Sequence, residues 1–83
     1  MKTIYNECLG NAIISYSAFC ETDLETKQNV YGIAVRDNYS EHETVIRNFT
    51  AKKEKAIEFI ETLIRNAVYP DFVNDIAEDF LLA

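Results

Sequence analysis

The hydrophobic period of this chain changes once, at Thr50, and that change does most to limit its fold. Before it, "TIYNECL", "AIISYSAFCE", "NVYGIAVRD" and "HETVIRNFT" are β-branched, aromatic or alternating runs separated by polar turns, as expected of strands. After it, in "AKKEKAIEFIETLIRNAV", Ala56, Ile60, Leu63, Ile64 and Ala67 form an apolar stripe at helical spacing with Ile57 at its edge. Strands followed by helices predict an α+β fold: an antiparallel sheet of four strands in a meander, with two C-terminal helices packed on one face. Boundaries fall at about 2–9, 12–20, 29–36 and 42–48 for the strands and about 51–67 and 70–81 for the helices. The 83 residues, 48% of them hydrophobic with two Gly and one Pro, suit one ordered domain.

Local signals fill in the connections. Gly10-Asn11 reads as a two-residue hairpin turn, which makes paired residue numbers sum to 21 and sets Cys8 against Ile13. Cys20 then lies about 23 Å further along, beyond disulfide reach, so both cysteines are expected as free thiols. Thr50 is a suitable N-cap for the first helix. Pro70 suits the first position of the second, in which Val73, Ile76, Ala77 and Phe80 make the buried face and Phe72 flanks it. On the third strand Tyr31, Ile33 and Val35 share one face, but Val30, Gly32 and Ala34 on the other are also apolar. A strand apolar on both sides is covered on both sides. An ordinary solvated face with a few small apolar residues accounts for this without a partner; if instead a second copy or a partner covers the face, Val30, Gly32 and Ala34 are the expected interface of a homodimer.

Charge restricts the partners. A net charge of -6 disfavours direct binding to nucleic acid or an anionic membrane and favours a protein partner with a basic surface. No apolar run reaches the roughly 18 residues of a membrane span, and "MKTIYNECLG" lacks a signal-peptide hydrophobic region. A cytoplasmic setting is the expectation.

The "YGIAV" strand, the "IRNFT" segment before the first helix and the ending "VYPDFVNDIAEDFL" resemble an uncharacterised family of short proteins seen mainly in Gram-positive anaerobic bacteria. The likeness rests on Tyr31, Gly32, Ile33, Pro70, Asp75, Glu78 and Asp79, and runs from about Val30 to the end. It implies a small α+β unit in a bacterial or phage setting and brings no activity with it.

Residues for catalysis are few. His42 is the only histidine; on a strand its neighbours Glu41 and Glu43 point to the opposite face, and no Ser or Cys nucleophile can be set beside it. Glu21, Asp23 and Glu25 alternate like metal ligands, yet the loop lacks the glycine and the final bidentate Glu of a calcium loop. Gly10 and Gly32 are isolated, so no phosphate-binding loop is present. No enzyme activity, cofactor or metal is expected.

One charged feature remains. Asp71, Asp75, Glu78 and Asp79 fall within about 100° of arc on the second helix, away from Val73, Ile76 and Phe80. Lys52, Lys53 and Lys55 open the first helix, and an antiparallel helix pair would bring Lys52 and Lys55 near Glu78 and Asp79, leaving Arg65 as the cation nearest Asp71 and Asp75. Solvated charges with partial cross-helix pairing therefore account for the row without a partner. The functional alternative joins the four carboxylates to the tyrosines, Tyr5, Tyr16, Tyr31, Tyr39 and Tyr69, with Tyr39 and Tyr69 foremost, as a surface that enters a basic nucleic-acid channel on another protein. On that reading the chain is an inhibitor of the anti-CRISPR kind, carried by a phage or mobile element. The rival is a host regulatory or adaptor protein that homodimerises through its sheet.

Overall fold

The computed structural model describes residues 2–9 and 13–82, with side chains for these except at 8, 9, 81 and 82. Four strands, β1 (Lys2–Leu9), β2 (Ile14–Thr22), β3 (Asn29–Asp37) and β4 (His42–Thr50), pair in sequence order as an antiparallel meander. Helix α1 (Lys53–Arg65), a 3-10 turn (Pro70–Phe72) and helix α2 (Val73–Leu82) follow. Both helices pack on one face of the sheet, which is the expected α+β architecture.

The core lies between the layers. Ile14, Tyr16 and Ala18 of β2 and Ile33 and Val35 of β3 face Ala56, Phe59, Ile60 and Leu63 of α1 and Val73 and Ala77 of α2. Phe59 lies outside the stripe expected for α1, and Ala67 is exposed beyond the helix end. The buried positions 56, 59, 60 and 63 are one i, i+3, i+4, i+7 face. Phe59 stacks on Phe49 with ring centroids 4.7 Å apart and meets Phe80 at 5.0 Å, joining both helices to the sheet.

Phe49 reaches this cluster because β4 bulges. Tyr31 pairs with Thr50 and Ile33 with Ile46, so two steps on β3 answer four on β4. Asn48 absorbs the extra length at φ 54, and Ile46 and Phe49 both turn to the core. A second irregularity between Thr3 and Tyr5 lets Ile4 and Tyr5 both pack inward.

Three local expectations are corrected. Gly10 and Asn11 lie outside the described residues, but the β1–β2 register is Leu9 to Ile14 and Cys8 to Ser15, a sum of 23 and not 21. Ile13 instead gives its carbonyl to the Asn38 amide at 2.7 Å, on the β3 side. Because the shift is two positions there, Tyr5, Asn6 and Glu7 keep their expected faces, whereas before the bulge Lys2 and Thr3 pair with Cys20 and Phe19 at a sum of 22 and change theirs. Cys20 sits opposite Lys2, six positions from Cys8 or about 20 Å, and is a free thiol. Thr50 does not cap α1: it is still paired in β4, its hydroxyl accepts the Lys52 amide at 3.1 Å, and Lys52 is the N-cap without a side-chain hydrogen bond. The end of α1 is a Schellman motif, with the Val68 amide donating to Leu63 O and the Ala67 amide to Ile64 O. Ala67 holds its left-handed position at φ 49.

Candidate interaction site

The segment between the helices is fixed to the sheet by side chains. The Tyr16 hydroxyl, buried beneath α1, donates to Val68 O at 2.8 Å. Thr44 Oγ1 of β4 donates to Pro70 O at 2.8 Å, and His42 Nδ1 lies 2.7 Å from Asp71 Oδ1. These three residues share the helix-facing side of the sheet. Pro70 is buried and sets the 3-10 turn, whose Phe72 amide donates to Tyr69 O. The chain between Val68 and Phe72 is thereby held with Tyr69 and Phe72 turned outward, 50% and 59% exposed.

The β3–β4 turn comes to the same end of the molecule, since Asp37 and His42 are register partners and His42 reaches Asp71. Asp37 Oδ1 accepts the amides of Tyr39 at 2.9 Å and Ser40 at 3.3 Å. Desolvation works against the Asp37 carboxylate, but these backbone hydrogen bonds outweigh it and hold the carboxyl below its usual range. Tyr39 stands at the turn's tip, 91% exposed. Tyr39, Tyr69, Phe72 and Asp71 thus occupy one end, and Asp75, Glu78 and Asp79 continue from it along α2 for about 12 Å. All four carboxylates are exposed.

Their electrostatics differ from the expectation. Asp71 answers His42 and not Arg65. Lys55 pairs within its own helix with Glu58 at 3.7 Å, and among the described residues Glu78 and Asp79 make no ion pair with Lys52 or Lys55. Asp71 and Asp75 sit in first turns, the favourable end of the helix dipole. Only the Glu78 and Asp79 end remains in conflict with it.

The other singled-out residues have different surroundings. Glu21 is paired with Arg47 at 2.6 Å, and Asp23 accepts the amides of Glu25 and Thr26 as a turn residue. Among the described residues no group of three metal-ligating side chains converges, and no helix is long and apolar enough to cross a membrane. Of the expected interface residues, Val30 and Ala34 are half-buried, whereas Gly32 is buried against the Phe19 ring. A cleft of about 420 Å³ opens near the start of α1, lined in part by Lys2, Cys20, Tyr31 and Lys53. Desolvation, then the neighbouring Cys20 thiol, pushes the Tyr31 phenol above its ordinary value.

Residues 6–83 match the pattern of the Family of unknown function (DUF6514). The chain belongs to this family. The match includes β2 and the second half of β1, so the family pattern extends well before Val30, where the resemblance in the sequence begins. The family's segment thus takes in the whole β2–β4 sheet, both helices and every residue of the acidic end described above. No curated protein and no solved structure matches the chain.

Proposed function

We propose that the chain is a non-enzymatic protein-interaction module that docks its acidic 3-10 turn and α2 surface on a basic patch of a partner protein. The observation that carries this reading is that Asp75, Glu78 and Asp79 stand exposed and without ion pairs among the described residues, in line with exposed Tyr69 and Phe72. A row of solvated carboxylates steers a cationic partner, and rigidly presented aromatics supply the buried anchors that charge alone lacks. The turn that carries Tyr69 and Phe72 is held by Tyr16, Thr44 and His42, so little ordering cost attends docking. The finer reading is inhibition: the basic surface is one built for nucleic acid, on a bacterial nuclease or related protein, and the chain acts as a phage-borne or mobile-element blocker of the anti-CRISPR kind.

The test is affinity capture from bacterial lysate with the wild-type chain and with a variant carrying Asp71→Asn, Asp75→Asn, Glu78→Gln and Asp79→Asn, both verified as folded. A nucleic-acid-binding protein held by the wild type, released by salt that screens charge, and missed by the variant is the expected result. Retention of the same proteins by both chains overturns the acidic docking surface and leaves an adaptor role.

A further inference from the structure

Both helices lie on one face of the sheet, so the described residues form a two-layer slab 18 Å across its thinnest dimension, and none of the described elements covers the second sheet face. That face differs in charge from the rest of the molecule. By strand alternation it carries two carboxylates, Glu21 and Glu43, and two guanidiniums, Arg36 and Arg47, on a chain of net charge -6. The helical segment 51–82 carries seven carboxylates against four cations. Two copies of the chain repel through their helical layers and have no such barrier through their sheets.

The face is also low in relief. Phe19 belongs to it and is nonetheless buried, because its ring lies down on Gly32. Glu21 and Arg47 satisfy each other across β3. Arg36 and Glu43 are register partners on β3 and β4 but form no ion pair among the described residues, and the next pair on the same face is Ala34 with Val45, the latter 47% exposed.

We infer that this face is the interface of a symmetric homodimer whose two-fold axis runs parallel to the strands between β3 and β4. A rotation about that axis exchanges the places of β3 and β4, so each residue meets its own cross-strand partner from the second copy. Ala34 then lies over Val45, small against branched, and Arg36 over Glu43, twice by symmetry. An axis along β3 would stack Arg36 on Arg36, and one between β2 and β3 would offer Arg36 only Ser15, its register partner there. Charge complementarity therefore selects both the occupant, a second copy, and the axis. Two strands per copy give a contact of about 10 Å by about 30 Å, below the size of a permanent interface, so the dimer is a weak and concentration-dependent one. It leaves both acidic helical layers facing outward and holds independently of what they bind.

Sedimentation equilibrium of the full chain from micromolar to submillimolar concentration tests this. The mass should rise from 9.5 kDa toward twice that value. Arg36→Glu and Glu43→Arg each set like charges across the axis and should hold the chain at monomer mass, and the double variant R36E/E43R should restore the rise. Val45→Lys, on the exposed edge strand, serves as a second disruption should R36E fail to fold. A monomer mass throughout, or a dimer unmoved by E43R and V45K, would overturn the inference.

Discussion

The Tyr16 hydroxyl and the Val68 carbonyl meet at 2.8 Å inside the core, 52 residues apart in sequence. The bond ties the middle of the sheet to the connection between the helices, at the point where the Schellman motif ends. Removing the hydroxyl with Tyr16→Phe leaves the Val68 oxygen buried without that donor, a loss of about 1–2 kcal/mol. Urea denaturation should show a lower midpoint with an unchanged slope.

The same phenol makes stability depend on alkaline pH. Burial, then the nearby Tyr69 phenol, raises the Tyr16 pKa above 10.0. The folded state therefore keeps its proton where the unfolded state has lost it. This contribution is fully present below the unfolded value and falls away as pH rises from about 10 through the folded pKa. Comparing urea midpoints at about pH 9 and about pH 11 should show a smaller drop for Tyr16→Phe than for the wild type. A drop equal in both would assign the alkaline loss to other groups, such as Tyr5 and Tyr31, whose phenols are also raised.

Ala67 occupies a backbone conformation that suits glycine. At φ 49 it closes the Schellman motif of α1, exposed to solvent, where a Cβ costs about 1 kcal/mol. Ala67→Gly should raise the melting temperature by a few degrees, the unfolded-state entropy of glycine offsetting part of the gain.

Ala67 also shows where sequence reading stops. The switch from strand to helical period at Thr50 was enough for strand order and for placing both helices on one face, because a half-buried element repeats its environment along its length. Ala67 fits the helical spacing of the α1 stripe, yet the helix has ended before it, and an alanine gives no local sign of a left-handed turn. The bulge at Asn48, which turns Phe49 inward, is marked only by an asparagine, a residue that tolerates positive φ but is equally common in turns and on exposed strand positions. Phe59 is absent from the stripe read in the sequence although the spacing offers it, since 56, 59, 60 and 63 make a regular helical face. At the candidate site the carboxylates could be placed on one outward row from spacing alone. The contacts that position them, His42 with Asp71 and Thr44 with Pro70, join residues more than 25 positions apart, and only the register of β4 against the 3-10 turn decides them.

Gly32 is required by its neighbour. A Cβ at this position would lie 2.3 Å from the Phe19 ring and 2.7 Å from Ile46 O. Gly32→Ala should therefore destabilise by about 2–3 kcal/mol through overpacking. In a Phe19→Leu background the cost should shrink without vanishing, since the Ile46 carbonyl is backbone. A double-mutant cycle by chemical denaturation measures the difference, and a coupling of zero would show that the ring is not what excludes the side chain.

The two ends of the acidic row, Asp71 on one side and Glu78 with Asp79 on the other, should respond to neutralisation with opposite signs. Asp71 has a partner in His42 at 2.7 Å and stands at the favourable end of the dipole, so Asp71→Asn should lower stability, by no more than about 1 kcal/mol because both side chains are largely exposed. Glu78 and Asp79 lack an ion pair among the described residues and approach the C-terminal end of α2, where negative charge is unfavourable. Glu78→Gln with Asp79→Asn should leave stability unchanged or raise it by a few tenths of a kcal/mol. Thermal melts at low and high salt separate the contributions, since the Asp71 loss and the Glu78 and Asp79 gain should both shrink as charge is screened. A loss of stability on neutralising Glu78 and Asp79 would mean that they pair with Lys52 or Lys55 in solution, and would return that end of the row to a structural role.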